Sequence, residues 1–284
     1  MTNVLHLKRA IALTFFAFSS VAAIATTEPT LPGPRVPVVL KLDDLGAHAN
    51  GTVSERWRRV IDFCLERKIK LSIGVLTRSM EWAKPSYFTY LNDLQKTGLI
   101  EFWFHGYDHG VHTVDGKQYA EFSHRSYEEQ KRRFEISQKL AVEKLGAPFV
   151  TYGPPGGGNT PPSEADLDAT VRVLTEDPAM KLWLYPKAID ERGAQLQSAG
   201  KITILDRVPQ VNIEQPLFVP NPEKFIEAYA KHAPDRRYFI LQGHPDQWDD
   251  ARWAAFVKLI DYIQANQIPI ITPTELAAQL ASKP

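Results

Sequence analysis

Cysteine is nearly absent. Cys64 stands alone in 284 residues, so no internal disulfide can form and the fold must stand without a covalent staple. It shares a helical stripe with Trp57, Val60, Ile61 and Leu65, the setting of a buried packing thiol and not of a nucleophile. Excess charge of either sign is missing too: Lys+Arg 33 balance Asp+Glu 33. That excludes a chain built to bind nucleic acid or an anionic membrane through its field. Internal repeats and low-complexity tracts are lacking. The glycine run Gly156 to Gly158 lacks the Lys-Ser/Thr that completes a phosphate-binding loop, so no nucleotide site is expected.

Long apolar runs are scarce, with one exception. Ile11 to Ala25 is apolar, preceded by Lys8 and Arg9 and closed by the small residues Ala23-Ile24-Ala25. It falls short of the about 20 residues that span a bilayer and has the three-part pattern of an export signal. No cysteine follows it that could carry a lipid. The expected organisation is a signal peptide over 1–25, a Pro-rich lead over 26–35 and one domain over 36–284. The mature chain is then a periplasmic or extracellular protein without a stable membrane anchor, expected to be a monomer.

Within the domain, strand-like and helix-like segments alternate. Val36 to Leu42, Lys70 to Leu76, Ile100 to Phe104, Phe149 to Tyr152, Lys181 to Tyr185, Ile202 to Val208, Tyr238 to Leu241 and Ile268 to Ile271 read as strands. Helical spacing runs over Ser54 to Arg67, Ser86 to Thr97, Ser126 to Leu145, Ser163 to Glu176, Pro222 to Lys231, Asp249 to Ala265 and Thr274 to Ala281. Several of these open on a Ser cap, and two close at glycine. Alternation of this kind implies a parallel sheet, and seven or eight strands in a chain of this length favour a closed barrel over an open one. Chemistry in such folds gathers where the strands end.

Strand ends are where the reactive residues lie. The third strand runs into Phe104-His105-Gly106-Tyr107-Asp108-His109-Gly110, two imidazoles in a glycine-loosened turn. The first ends in Asp43-Asp44, the fourth in Tyr152-Gly153-Pro154-Pro155-Gly156, and the strand from Tyr238 in Gln242-Gly243-His244. Two histidines and one of the adjacent aspartates suit zinc or a neighbouring divalent ion, with a position left open for water. Successive strand residues point to opposite faces, so one aspartate can face an ion while the other turns away, unless the strand has broken there. Trp248, Trp253, Phe256 and Ile260 recur at helical spacing as core. Asp108 is expected to shape the histidine turn, His112 and His124 to be solvated, and Arg56, Arg58, Arg59 and Lys131 to Arg133 to lie on exposed helix faces.

In this order, from roughly Val36 to Ile271, Asp43-Asp44, His105-x-x-x-His109, the Pro-Pro-Gly turn and His244 resemble the polysaccharide deacetylases of carbohydrate esterase family four. The resemblance implies an α/β fold, a distorted (β/α) barrel with about seven parallel strands and a single catalytic domain. It implies one divalent ion, zinc ahead of cobalt, nickel or manganese, on Asp44, His105 and His109. It makes Asp43 the catalytic base, His244 the general acid and the Gly156 N–H an oxyanion donor. Tyr152 and Pro155 would line the substrate groove, and Trp248 would border it. Two positions depart from the family pattern. Gly153 replaces the arginine that orients the base, with Arg207 or Lys187 as candidates to reach in from other strand ends. Gly156 replaces a groove aromatic. Asp190, Asp206 and Asp246 are candidates for the carboxylate that partners His244. The implied activity is removal of N-acetyl or related acyl groups from an amino-sugar glycan. A catalytically silent carbohydrate-binding relative and a hydrolase of a small non-sugar amide are the alternatives.

Overall fold

A computed structural model describes residues 33–282; the expected signal peptide and most of the Pro-rich lead lie outside the described residues. Seven parallel strands form the central sheet: β1 (Val38–Leu45), β2 (Leu71–Val75), β3 (Ile100–Phe104), β6 (Thr151–Tyr152), β7 (Leu182–Leu184), β8 (Thr203–Leu205) and β9 (Phe239–Gly243). A short antiparallel hairpin of β4 (His112–Val114) and β5 (Lys117–Tyr119) follows the histidine turn. The sheet order is β8-β7-β6-β3-β2-β1-β9, so the chain steps outward from β1 and returns to its other side only at the end. No backbone ladder joins the edge strands β8 and β9 among the described residues. Side chains bridge that seam: Tyr238 donates to Asp206 at 2.7 Å, Arg236 to Asp206 at 2.6 Å, and Arg207 to Gln242 at 2.6 Å. The expected distorted barrel of seven strands is what the chain forms.

Helices wrap the outside: α1 (Glu55–Glu66), α2 (Pro85–Lys96), α3 (Tyr127–Leu145), α4 (Glu164–Glu176), α5 (Glu191–Ser198), α6 (Pro222–His232), α7 (Asp250–Ala265) and α8 (Pro273–Ala281). Their starts follow local chemistry. Ser54, Ser126, Ser163, Asp249 and Thr272 each cap a first turn by accepting a backbone N–H. Among the described residues no helix is long and apolar enough to cross a membrane. Cys64 is buried on α1, and burial pushes its thiol far above the ordinary range, which leaves it inert.

Strand alternation explains how the barrel carries a site. Val38, Leu40 and Leu42 face the helices, while Val39 joins Trp103, Leu184, Leu205 and Ile240 in a separate core inside the barrel. Continuing with period two, Lys41 and Asp43 fall on the interior face above Val39. His105 follows Trp103 in the same way, and Gln242 and His244 follow Ile240. Apolar residues thus fill the lower interior, and polar residues meet at the C-terminal mouth.

Some expectations differ. Ile268 to Ile271 contributes only a bridge between Ile270 and Val38, and the expected strand over Phe149 to Tyr152 shortens to two residues. The 4–5 hairpin and α5 carry too few apolar residues to show in the pattern.

Candidate active site

Asp43 and Asp44 both reach the same centre because β1 breaks its register between Leu42 and Leu45. Asp44 has φ 74, a left-handed conformation that turns its carboxylate back toward the mouth. Its Oδ1 lies 3.1 Å from His105 Nε2 and 3.5 Å from His109 Nε2. Ligands about 2.0–2.2 Å from one tetrahedral ion sit roughly 3.3–3.6 Å apart; the 3.5 Å separation falls in that range, and the 3.1 Å one needs a small outward shift to share the ion. Two further observations agree. Asp44 Oδ1 is buried without a well-formed hydrogen bond. His105 Nδ1 is 2.9 Å from the Gly153 carbonyl oxygen, which fixes a proton on Nδ1 and frees Nε2 as a ligand. Burial and the neighbouring His105 hold the His109 imidazole below its usual pKa, hence neutral and ready to coordinate. Burial pushes the Asp44 carboxyl up, but His105, His109 and His244 outweigh it and keep it ionised. Asp44, His105 and His109 therefore form a cluster able to hold a metal ion.

The histidine turn is held by a residue that sequence reasoning did not single out. Glu121, buried just after β5, accepts the backbone N–H of Tyr107 at 2.8 Å, Asp108 at 3.1 Å and His109 at 2.7 Å. One carboxylate thus stabilises a turn in which Gly106 and His109 both take positive φ. Asp108 accepts from the Gly110 N–H at 2.9 Å and pairs with Arg133 at the same distance. Asp108 shapes the turn as expected, whereas Arg133 is not on an exposed face. His112 is also less solvated than expected, part of a ring stack with Tyr119 and His124. Replacing Glu121 by Ala leaves three backbone donors without their acceptor, at up to about 1–3 kcal/mol of stability for each that water does not reach. It also loosens His109, and supporting contacts of this kind are worth about 10–100-fold in metal affinity. Zinc titration of Glu121→Ala beside wild type checks this, and equal affinities would show that the turn holds its shape without the clamp.

Asp43 is fully buried. Both of its oxygens lie 2.6 Å from Lys41 Nζ, and Oδ2 also accepts from Gln242 Nε2 at 2.6 Å. Lys41 in turn sits 4.6 Å from the centre of the Trp103 ring. Burial pushes the Asp43 carboxyl up, and Lys41, His105 and His244 more than offset it, so the group stays ionised. Lys41 therefore orients this carboxylate, from two residues away on the same strand. Neither candidate raised from the sequence does so directly: Arg207 reaches Asp43 only through Gln242, and Lys187 pairs with Asp190 at 2.7 Å. The physical reason is Trp103. A Cβ on Gly153 would lie 2.5 Å from its ring and one on Gly74 would lie 2.4 Å from it, so both glycines make room for the indole that Lys41 covers.

His244 faces Asp43 from the other side, with Nε2 at 3.8 Å from Oδ2, the same separation that His105 Nε2 has. Its partner is Glu214 and none of the three aspartates expected. Glu214 takes the His244 N–H at 2.8 Å and Nδ1 at 2.7 Å. Asp206 closes the barrel seam, Asp190 caps α5, and Asp246 binds Ser54 and His48. Burial pulls the His244 imidazole down, but Glu214, Asp43 and Asp44 hold it above its ordinary pKa. Trp248 does not border a groove. It is 1% exposed, stacks near Phe256 and donates Nε1 to Glu214 at 2.8 Å, so it is a brace beneath the site. Glu214 lies in an irregular loop after β8 and carries no sequence signal.

Beside this centre a cavity of about 780 Å³ opens at the ends of β6 to β8. Pro155 and the exposed Gly156 line it, whereas Tyr152, 1% exposed, stands in the core behind the wall and offers a substrate no face.

The barrel has the distorted (β/α) fold of solved carbohydrate esterase family four structures. The solved structures it resembles include a family 4 acetyl xylan esterase from Clostridium thermocellum in complex with a cobalt ion. That likeness has a TM-score of 0.54 at 14% identity, over 85% of this chain and 90% of that one. The Puue allantoinase superposes with a TM-score of 0.60 at 12% identity, over 91% of this chain and 96% of that one. The catalytic domain of a peptidoglycan N-acetylglucosamine deacetylase from Eubacterium rectale gives 0.51 at 14% identity, over 89% and 94%. No family model and no curated protein matches the chain by sequence.

Proposed function

We propose that this protein is an exported, metal-dependent hydrolase that removes N-acetyl or related acyl groups from amino-sugar glycans. One observation carries the reading. Asp43 Oδ2 lies 3.8 Å from Nε2 of His105, one of the three candidate metal ligands, and 3.8 Å from Nε2 of His244, which Glu214 anchors. Asp44, His105 and His109 would hold a divalent ion, with zinc suited to two nitrogens and one carboxylate. Such an ion lowers the pKa of a water it binds and polarises an acyl carbonyl.

The remaining work falls to the chain. Asp43, kept ionised by Lys41, accepts the proton of the attacking water. Gly156, on the rim, offers its N–H toward the carbonyl oxygen as negative charge develops there. His244, whose pKa Glu214 helps to raise above its ordinary value, delivers a proton to the departing nitrogen. The likeness to a peptidoglycan N-acetylglucosamine deacetylase supports an amino-sugar substrate, and the likeness to an allantoinase supports the second reading, a small amide. The N-terminal apolar stretch supports export.

The test is release of acetate from N-acetylglucosamine oligomers by zinc- or cobalt-loaded protein, compared with a panel of small amides. Acetate from the oligomers supports the reading. Turnover of small amides alone moves the substrate to that class, and glycan binding without product amine in a metallated sample leaves a silent binding protein.

A further inference from the structure

Buried charges are normally paired, because taking an ion out of water is costly unless an opposite charge replaces the lost hydration. Arg207 breaks that pattern. It is 8% exposed, yet among the described residues it has no carboxylate within ion-pair distance. Its side chain makes one hydrogen bond, to Gln242 at 2.6 Å, and its Nε is buried without a partner. Asp43 and Glu214 act on it only from farther away. Arg207 lines the 780 Å³ cavity at the end marked by Gln242, whose side chain ties it to Asp43. Lys41 lines the same end, and Lys187 lines the cavity as well; against these, Glu164 is the one acidic residue in the wall. Both oxygens of Asp43 already hold Lys41, so that carboxylate does not supply Arg207 with the missing negative charge from within.

We propose that this cavity receives a carboxylate of the substrate, bound to Arg207, beside the bond to be cleaved. The inference rests on the hydrolase reading for its link to catalysis and narrows the substrate to an acidic N-acylated sugar. A guanidinium suits that ligand: its planar donors match a carboxylate, and a low-dielectric wall strengthens the contact. The aromatic side chains of Tyr152, Trp183 and Tyr185, each 2% exposed or less, supply that low-dielectric surround from behind the cavity surface. Gln242, which hydrogen-bonds both Arg207 and Asp43, would register the bound acid against the reacting centre.

The experiment is calorimetric titration of the full protein, without any assay of turnover, using N-acetylmuramic acid and its neutral counterpart N-acetylglucosamine. Wild type is expected to bind the acidic sugar at least about tenfold more tightly, the range of a charge-assisted contact. Arg207→Met should lose that preference, and Arg207→Lys should retain part of it. Equal affinity of wild type for the two sugars overturns the proposal without need of any variant that might fold poorly. So does free acetate competing as well as the acidic sugar, which would make the cavity a product site. Because binding is read directly, an inactive protein that still prefers the acid would sink the hydrolase reading and leave the acid pocket standing.

Discussion

His105→Ala is expected to take the protein from close to one divalent ion per chain to close to none, and to abolish turnover with it. His105 is 1% exposed, lies 3.1 Å from the Asp44 carboxylate and has its other nitrogen committed to the Gly153 carbonyl. Its Nε2 is therefore left to face the ion, and among the described residues no further imidazole belongs to the cluster. His109, 26% exposed through its side chain, would be left with Asp44 alone, two ligands where a catalytic ion takes three. Elemental analysis of purified wild type and variant after zinc incubation reads the outcome. Wild type that takes up no ion from zinc or cobalt would remove the basis of the proposed chemistry. An ion retained by the variant would place the metal elsewhere.

A second large effect is expected at Asp43. Asp43→Ala should keep the ion, because the three candidate ligands remain, while turnover falls by about 10²–10⁴-fold, the usual contribution of a positioned base. It should also weaken the fold. Lys41, 3% exposed, would lose both oxygens that hold it at 2.6 Å. Breaking one side of a buried pair costs about 3–5 kcal/mol, because the surviving charge is stranded. The two effects separate in the double variant Lys41→Met/Asp43→Leu, which removes both charges and should recover most of the stability while remaining inactive. Denaturant melts and acetate release on the single and double variants give the comparison. Unchanged turnover in Asp43→Ala would end the base assignment, and unchanged stability would show that Lys41 finds another partner or sheds its proton.

How the site became visible shows where sequence reasoning reaches. Asp44, His105 and His109 were legible because each stands at a strand end, and a parallel barrel brings strand ends together. Lys41 was legible in principle: one lysine interrupts the apolar run Val38 to Leu42, two positions before Asp43 and so on the same face. Gln242 carries the same signal two positions before His244. Glu121 and Glu214 carry none. Each acts from an irregular segment, by hydrogen bonds whose partners lie 12 and 30 positions away along the chain. Trp248 was placed at a groove because it stands beside His244 and opens an amphipathic helix; its indole instead turns under the loop to meet Glu214.

The amino-acid order by itself determined the alternation of strands and helices, the caps that start them and the end of the sheet where chemistry collects. These rest on periodicity and local hydrogen bonding, which act between near neighbours. Only the tertiary structure decided that Lys41 holds Asp43, that Glu214 anchors His244 and that Arg207 is buried with no carboxylate at ion-pair distance among the described residues. Each of those depends on how far a side chain reaches across the barrel, and the size of Trp103 between Gly74 and Gly153 decides which side chains have room to do so.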